Sequence, residues 1–180
     1  MTASTTTRRW TIDPTHSQVE FAAKHMMITT VKGTFPEFAG AVVLDTANPS
    51  ASSVEVTIQA ASLSTRVVDR DTHLKSADFL EVEAHPTITF RSTRVAGDLQ
   101  GSFTVVGDLT IRGTPREVTL DAEFEGQGKD PWGGERVSFT ATTTLDRRDF
   151  GLTWNAALET GGVLVSHQIK VTLEVQAVGE

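Results

Sequence analysis

The side chains best suited to chemistry in this chain are concentrated between Ser62 and Phe90. Seven charged residues of both signs lie close together there: Arg66, Asp69, Arg70, Asp71, His73, Lys75 and Asp78. Arginine bonds phosphate groups through parallel N–H donors. An anionic headgroup could therefore be held by the bases of this group: Arg66, Arg70, His73 and Lys75. The interleaved acids favour a second interpretation, in which the charges form ion pairs that fix a short helix.

Five histidines raise the question of metal binding or acid–base chemistry: His16, His25, His73, His85 and His167. No two of them have the i, i+4 spacing of helical zinc motifs, and His16 and His25 differ in parity along the strand expected there. We therefore predict no metal site. His16 and His25 are instead predicted to lie beside the charged segment, as further members of a headgroup-binding rim.

Recognisable catalytic motifs are absent from the sequence. There is no G-x-S-x-G turn for a nucleophilic serine, and the glycines near Trp132 lack the G-x-G-x-x-G spacing that binds phosphates. The run from Asp146 to Asp149 could hold paired carboxylates, but alternating charges beside a strand end are more typical of solvated ion pairs. We predict a binding protein without catalytic residues and without a cofactor.

Composition limits the classes of function further. The 180 residues fit one domain, and the lack of cysteine excludes disulfides and thiolate metal sites. A net charge of -7 disfavours nucleic acid as a partner. Residues 1–8 offer nothing to bury, which predicts a disordered tail ahead of a single domain at residues 9–180. No apolar segment typical of an export signal or a membrane span follows the N-terminal arginines, so we expect a cytoplasmic protein.

The rest of the sequence is typical of strands that bury one face. The run from Ser53 to Ala61 places three aliphatic residues on one side and polar residues on the other. About eight such strands predict an all-β antiparallel barrel, because closure removes exposed sheet edges; a two-sheet sandwich fits the same alternation. We expect a hairpin around Phe35-Pro36-Glu37. One insertion near residues 66–80 is expected to carry a helix from residue 70 or 71 to about 77.

Several blocks along the chain resemble the YceI-like family: Trp10 to Ser17, Val31 to Phe35, Arg70 to Leu74, Pro86 to Ser92, Gly107 to Thr114 and Asp149 to Leu152. The resemblance covers essentially the whole predicted domain. It implies an extended lipocalin-like antiparallel barrel, often dimeric. It also implies a long apolar cavity for polyisoprenoid lipids, such as isoprenoid quinones or prenyl diphosphates.

The resemblance makes the inward apolar positions candidate lipid contacts. Ten of them are predicted to line the cavity: Phe21, Val56, Ile58, Phe90, Phe103, Val105, Leu120, Phe139, Val171 and Leu173. The expected function is binding, storage or transport of an isoprenoid lipid, with a homodimer and a transient contact with a membrane surface. Two alternatives stay open. One is an enzyme that acts on an isoprenoid-like substrate through His16, His25 or His73, and the other is a stress-linked structural module with a filled core.

Overall fold

The backbone of this chain is mostly β-strand. The structure is a computed structural model that describes residues 7–180. Its strand segments are β1 (Thr7–Ile12), β2 (Gln18–His25), β3 (Thr29–Thr34), β4 (Phe38–Asp45), β5 (Ser53–Gln59), β6 (Thr87–Gly97), β7 (Ser102–Ile111), β8 (Thr114–Lys129), β9 (Glu135–Asp146) and β10 (Gln168–Gly179). Within the described range the α-helix is α1 (Val68–Lys75), which lies between β5 and β6.

Eight strands close the barrel, because two pairs of segments each form one bent strand. β1 and β2 follow one another along the same edge of β10, with Trp10 opposite Gly179 and Phe21 opposite Val171. β3 and β4 run back along β2 and β1 in the same way. The remaining strands pair in chain order from β4 to β10, all antiparallel. This closed barrel confirms the predicted fold class, and the sandwich alternative is wrong.

The hairpin expected around Phe35-Pro36-Glu37 is also wrong. β3 pairs with β2 and β4 pairs with β1, so this tripeptide bends one strand instead of reversing it. Proline has no N–H to give to a ladder, which explains why pairing is interrupted at Pro36. The chain reverses instead between β2 and β3, at residues 26–28.

The N-terminal boundary lies slightly earlier than predicted. Thr7 and Arg8, which were expected in the disordered tail, belong to β1 and pair with Asp45 and Leu44 of β4. Backbone pairing orders these two residues, and the Arg8 guanidinium also stacks over the Trp10 ring at 4.5 Å. Residues 1–6 lie outside the described part of the chain.

The predicted helix exists, but it begins earlier and ends sooner, at Val68–Lys75. Asp71 lies in its first turn, where its carboxylate accepts hydrogen bonds from the backbone N–H of Thr65 at 2.8 Å and from the Thr65 hydroxyl at 2.6 Å. Arg70 donates to the same hydroxyl at 2.7 Å and to the Thr65 carbonyl at 2.9 Å. Thr65 is buried. In the contacts of the described residues, the ion pairing expected for Arg70 and Asp71 is replaced by this shared anchor, which fixes α1 to the barrel.

A polar network ties together the end of the barrel away from α1. Arg136, at the start of β9, donates to carboxylate oxygens of Asp13 at 2.8 Å and of Asp130 at 3.1 Å, and to the Gln176 amide oxygen at 2.9 Å. The hydrogen bond from Arg136 holds the pKa of Asp13 well below its usual range. The hydrogen bond from the backbone N–H of Gly134 is the main cause that lowers the pKa of Asp130, and the hydrogen bond from Arg136 lowers it further. Both acids are therefore stabilised in their charged form in the fold.

We expect acid to destabilise this fold through these carboxylates. Since their folded pKa values lie below the unfolded ones, their stabilisation is present above about pH 4 and is lost as pH falls through the folded values. The urea midpoint should change little from about pH 7 to pH 5 and decrease below about pH 4. Arg136→Gln should lower the midpoint at neutral pH and flatten the acid slope, because it removes the donor that depresses the Asp13 pKa.

The matched control is Arg91→Gln, because Arg91 and Glu55 form an exposed pair across β6 and β5 at 3.1 Å. Exposed pairs of this kind contribute little, so neither the midpoint nor the slope should change. An Arg136→Gln midpoint that follows the wild type from neutral to acid pH would contradict this account.

Candidate functional site

The barrel interior contains two adjoining cavities. The inner cavity has a volume of ≈ 190 Å³, and the second, which we call the mouth cavity, has a volume of ≈ 480 Å³ and lies at the α1 end. Six apolar residues belong to the walls of both: Phe21, Phe35, Ile88, Ile111, Leu145 and Val171. The volume of the mouth cavity lies within the usual range of ligand pockets, about 300–1,000 Å³. An interior with such cavities disfavours the filled-core alternative.

The inner cavity is lined by the residues that were predicted as lipid contacts. All ten predicted lining residues lie in its wall: Phe21, Val56, Ile58, Phe90, Phe103, Val105, Leu120, Phe139, Val171 and Leu173. Two of these, Phe21 and Val171, line the mouth cavity as well. Their position is therefore as expected, while their role as lipid contacts stays a prediction.

Phe21 marks the boundary between the two cavities. It is opposite Gly33 on β3, where a Cβ atom would overlap the Phe21 ring. The ring also packs against Phe35, with ring centroids 5.4 Å apart. The glycine in the block from Val31 to Phe35 thus lets Phe21 lie against the β3 backbone, and a side chain at this position would push the ring into the interior.

The mouth cavity is enclosed by the ends of β2 and β3, by α1, and by the segment from Arg147 to Val165 between β9 and β10. Its charged or titratable lining residues are Lys24, His25, Asp69, Arg70, His73 and Arg147. Three predicted rim residues, His25, Arg70 and His73, are thus brought together. Arg66 and Lys75 do not belong to the described lining.

The placement of His16 at the rim is wrong. His16 lies in a short 3-10 turn, Pro14–His16, that interrupts the strand between β1 and β2. It is exposed there, and its Nδ1 is 2.7 Å from the carboxylate of Asp13, which in turn bonds Arg136. The prediction assumed that His16 lies on a strand beside the charged segment. This turn instead interrupts the strand at the level of Gln176, away from the mouth.

His73 is held by an aromatic pair and a carboxylate. Its ring packs edge-on against Phe79, with centroids 5.1 Å apart, and against Trp154, with centroids 4.6 Å apart. Its Nε2 is 2.8 Å from a carboxylate oxygen of Asp78. A histidine and a carboxylate in contact are the minimum that the enzyme alternative required. However, the described lining of the mouth cavity contains no hydroxyl or thiol that could act as a nucleophile.

Arg147 is a residue of the mouth-cavity wall that the sequence did not predict there. It is only 4 % exposed, and its guanidinium donates to the backbone carbonyls of Leu152, Trp154, Val165 and Ser166 at 2.7–3.2 Å. Within residues 7–180 no carboxylate forms an ion pair with it. Burial lowers its pKa, and the nearby Asp146 opposes this effect. Since arginine keeps its charge even so, Arg147 brings an unneutralised positive charge to the wall of the mouth cavity.

The interpretation of residues 146–149 as solvated ion pairs is therefore right for one arginine and wrong for the other. Arg148 bonds the carboxylate of Asp146 at 2.6 Å, and this bond lowers the pKa of Asp146 to about 2. The Arg147 side chain instead lies buried beneath the segment from Leu152 to Ser166, whose backbone carbonyls it bonds. Arg147 and Arg148 begin the 3-10 turn Arg147–Phe150 that follows β9, and the sequence does not show which of the two arginines faces inward. Trp154 was missed because it lies in a loop without periodicity.

A family model described as the YceI-like domain matches residues 10–177, which is nearly the whole chain. The chain belongs to the YceI-like family. The match confirms the resemblance found in the sequence blocks.

Curated YceI-like relatives support the assignment. A UPF0312 protein of Ectopseudomonas mendocina (strain ymp) is 46% identical over 138 residues, which are 77% of this chain and 72% of the relative. A UPF0312 protein of Vibrio cholerae serotype O1 is 41% identical over 137 residues, which are 76% of this chain and 72% of that relative.

Solved structures share the YceI-like barrel. A YceI protein of Campylobacter jejuni is 30% identical with a TM-score of 0.75, covering 87% of this chain and 90% of that one. BcnA of Burkholderia cenocepacia is 22% identical with a TM-score of 0.81, covering 92% and 99%. A domain of Saccharophagus degradans, described as polyisoprenoid-binding, is 15% identical with a TM-score of 0.68, covering 95% and 98%. The last two likenesses show the fold alone.

Along residues 7–180, no helix is long and apolar enough to cross a bilayer. In the same range, no group of three or more His, Asp or Glu side chains is placed to hold a metal ion. The cytoplasmic location and the lack of a cofactor stay predictions.

Proposed function

We propose that this YceI-like barrel binds one isoprenoid lipid, with the tail along the two adjoining cavities and the polar head at the mouth, and thereby stores or transports it. The observation that carries the proposal is the continuous set of apolar walls shared by the inner and the mouth cavity. Each CH₂ group that leaves water contributes about 0.8 kcal/mol, so a long branched chain can bind through burial alone. A solved structure with this fold is described as a polyisoprenoid-binding domain, which agrees with the proposal.

The charges at the mouth support an oxygen-rich headgroup. Five of the six charged or titratable lining residues are bases, and only Asp69 is an acid. Arg70 uses two of its five N–H groups for Thr65, which leaves three for a ligand. Arg147 uses four on backbone carbonyls, so it acts mainly through its charge. A diphosphate or a quinone carbonyl fits this arrangement, because both accept hydrogen bonds from such donors.

The orientation of the lipid can be tested with the natural tryptophans. Trp154 lines the mouth cavity, Trp10 is buried in the far half of the barrel opposite Gly179, and Trp132 is exposed. Two variants that each keep a single tryptophan, at 154 or at 10, would be titrated with an isoprenoid quinone, whose ring quenches nearby indoles. We expect saturable quenching of Trp154 and much weaker quenching of Trp10. Preferential quenching of Trp10 would reverse the proposed orientation, and no saturable quenching of either would overturn lipid binding.

A second candidate function rests on the contact between His73 and Asp78. In an enzyme this pair would transfer a proton to or from the headgroup, and His73→Gln would abolish turnover. In the binding protein that we propose, His73→Gln should weaken headgroup recognition and leave tail binding in place. Recovery of chemically unchanged lipid after long incubation with the wild type would favour binding. The homodimer also stays a prediction.

A further inference from the structure

The turn between β2 and β3 exposes three apolar side chains and holds two of these residues at positive φ. Its residues Met26, Met27 and Ile28, which we call the apolar tip, are 44%, 64% and 75% exposed. The N–H of Ile28 bonds the carbonyl of His25 at 3.1 Å, and φ is 53° at Met26 and 62° at Met27. Two central residues with positive φ are the mark of a type I′ turn, in which Asn-Gly is strongly preferred. Methionine at such positions is unfavourable.

Neither the stability of the turn nor its exposure to solvent explains why these residues are methionine and isoleucine. A turn under selection for stability alone would carry asparagine and glycine, and a solvated turn would carry polar side chains. Local rules are commonly broken where a function needs it, and contiguous exposed apolar residues mark interaction sites. The apolar tip therefore calls for a partner that buries it.

The apolar tip borders the mouth cavity. His25, the residue before it, lines that cavity, and the N–H of Met26 bonds the carbonyl of Leu164, another lining residue, at 2.8 Å. A second exposed apolar pair, Val67 and Val68, directly precedes Asp69 and Arg70, which also line the cavity. Exposed apolar side chains thus flank the opening on the β2–β3 side and on the α1 side.

The charge around the apolar tip differs from that of the whole chain. Residues 22–34 contain Lys24, His25 and Lys32 but no Asp or Glu, whereas the chain as a whole has 16 Lys and Arg against 23 Asp and Glu, and a net charge of -7. Lys24 and Lys32 lie on the two strands that flank the tip. The Lys32 ammonium lies 3.6 Å from a carboxylate oxygen of Glu20, and the Lys32 side chain is 69% exposed. Basic residues beside an apolar protrusion complement an anionic lipid surface, because the apolar groups enter the acyl boundary and the lysines meet the headgroups.

We propose that the apolar tip, with Lys24 and Lys32, docks the mouth of the barrel onto the surface of an anionic lipid bilayer, where the ligand enters or leaves. The role of docking in ligand exchange rests on the proposed function. Docking itself does not, because it requires only the exposed tip and its lysines.

The test is flotation of the protein with two kinds of vesicle: phosphatidylethanolamine mixed with phosphatidylglycerol, and phosphatidylcholine alone. The wild type should float with the anionic vesicles and do so less at high salt. Met26→Asn/Met27→Gly installs the preferred turn pair, so the fold should be at least as stable, while vesicle partitioning should fall about tenfold or more. Neither methionine belongs to the described cavity lining, so binding of a quinone added from ethanol should not change.

The matched control is Trp132→Ser. Trp132 is 87% exposed and lies in the β8–β9 loop at the far end of the barrel, so removing it takes away exposed apolar area without touching the mouth. Its partitioning should equal that of the wild type.

Three results would overturn docking: no flotation of the wild type with either vesicle, unchanged flotation of Met26→Asn/Met27→Gly, or an equal loss in Trp132→Ser. A wild-type dimer that becomes a monomer in Met26→Asn/Met27→Gly, without vesicle binding, would assign the apolar tip to a second copy of the chain and also overturn it. Flotation as expected, together with a failed quinone titration, would leave docking in place and reject the proposed function instead.

Discussion

Replacing Arg147 with methionine should destabilise the fold by about 3 kcal/mol and loosen the segment from Leu152 to Ser166. Methionine keeps much of the apolar stem but removes the guanidinium that joins four backbone carbonyls of this segment. Buried carbonyls that lose their donors carry the full cost of desolvation. Since Leu152, Trp154, Leu164 and Val165 line the mouth cavity, lipid should also dissociate faster. Urea unfolding measures the change in the free energy of unfolding, and hydrogen exchange across residues 152–166 measures how far the segment loosens.

Arg148→Met is the matched control for this prediction. Arg148 is the next residue along the chain and pairs with Asp146 at the surface, so its loss should change the free energy of unfolding by about 0.5 kcal/mol or less. Equal effects of the two substitutions would show that Arg147 does not hold the loop. A normal free energy of unfolding for Arg147→Met, with unprotected amides in the segment, would limit the role of Arg147 to local order.

Replacing Ala141 with phenylalanine should block the inner cavity and weaken lipid binding about 100-fold. Ala141 lies on β9, opposite Leu173 of β10 and Ala122 of β8, and its side chain lines the inner cavity. A benzyl group there takes the place of about three to four CH₂ groups of the tail, each worth about 0.8 kcal/mol. Because the cavity of ≈ 190 Å³ offers room, the fold should lose only about 1 kcal/mol of stability. Quinone titration and urea unfolding measure the two effects.

Ala39→Phe provides the same substitution on the outside of the barrel. Ala39 lies on β4 opposite Thr57 and is exposed, so the added ring cannot reach the interior. Its lipid affinity should match that of the wild type. If Ala141→Phe binds lipid as tightly as Ala39→Phe, the tail does not occupy the inner cavity.

The barrel and its lining could be predicted because a strand encodes its inner face directly. Side chains alternate with a period of two. The spacing of Val56 and Ile58, or of Phe103 and Val105, therefore predicts a shared face without knowledge of the neighbouring strands. The same alternation does not encode strand connectivity. Whether Pro36 reverses a strand or bends it depends on the pairing of β3 with β2 and of β4 with β1. Alternation names neither partner, and the prediction of a hairpin was wrong for that reason.

The mouth was harder to predict because its residues lie outside regular strands. The charged segment was identified, but the sequence could not show that Arg70 and Asp71 both bond to Thr65. His16 was misplaced by a single turn of 3-10 helix. Arg147 and Trp154 lie in or beside an irregular loop, where neither spacing nor hydropathy separates an inward side chain from an outward one. Sequence therefore defined the apolar part of the candidate site and left most of its polar part to the structure.

The most direct test of lipid binding in the barrel is native mass spectrometry, with lipid extraction, of protein purified from its own host. The wild type should carry an isoprenoid lipid in a one-to-one complex, and Ala141→Phe purified in the same way should carry much less. Repeated isolation of the wild type without any isoprenoid, together with no binding in the quinone titration, would contradict the account.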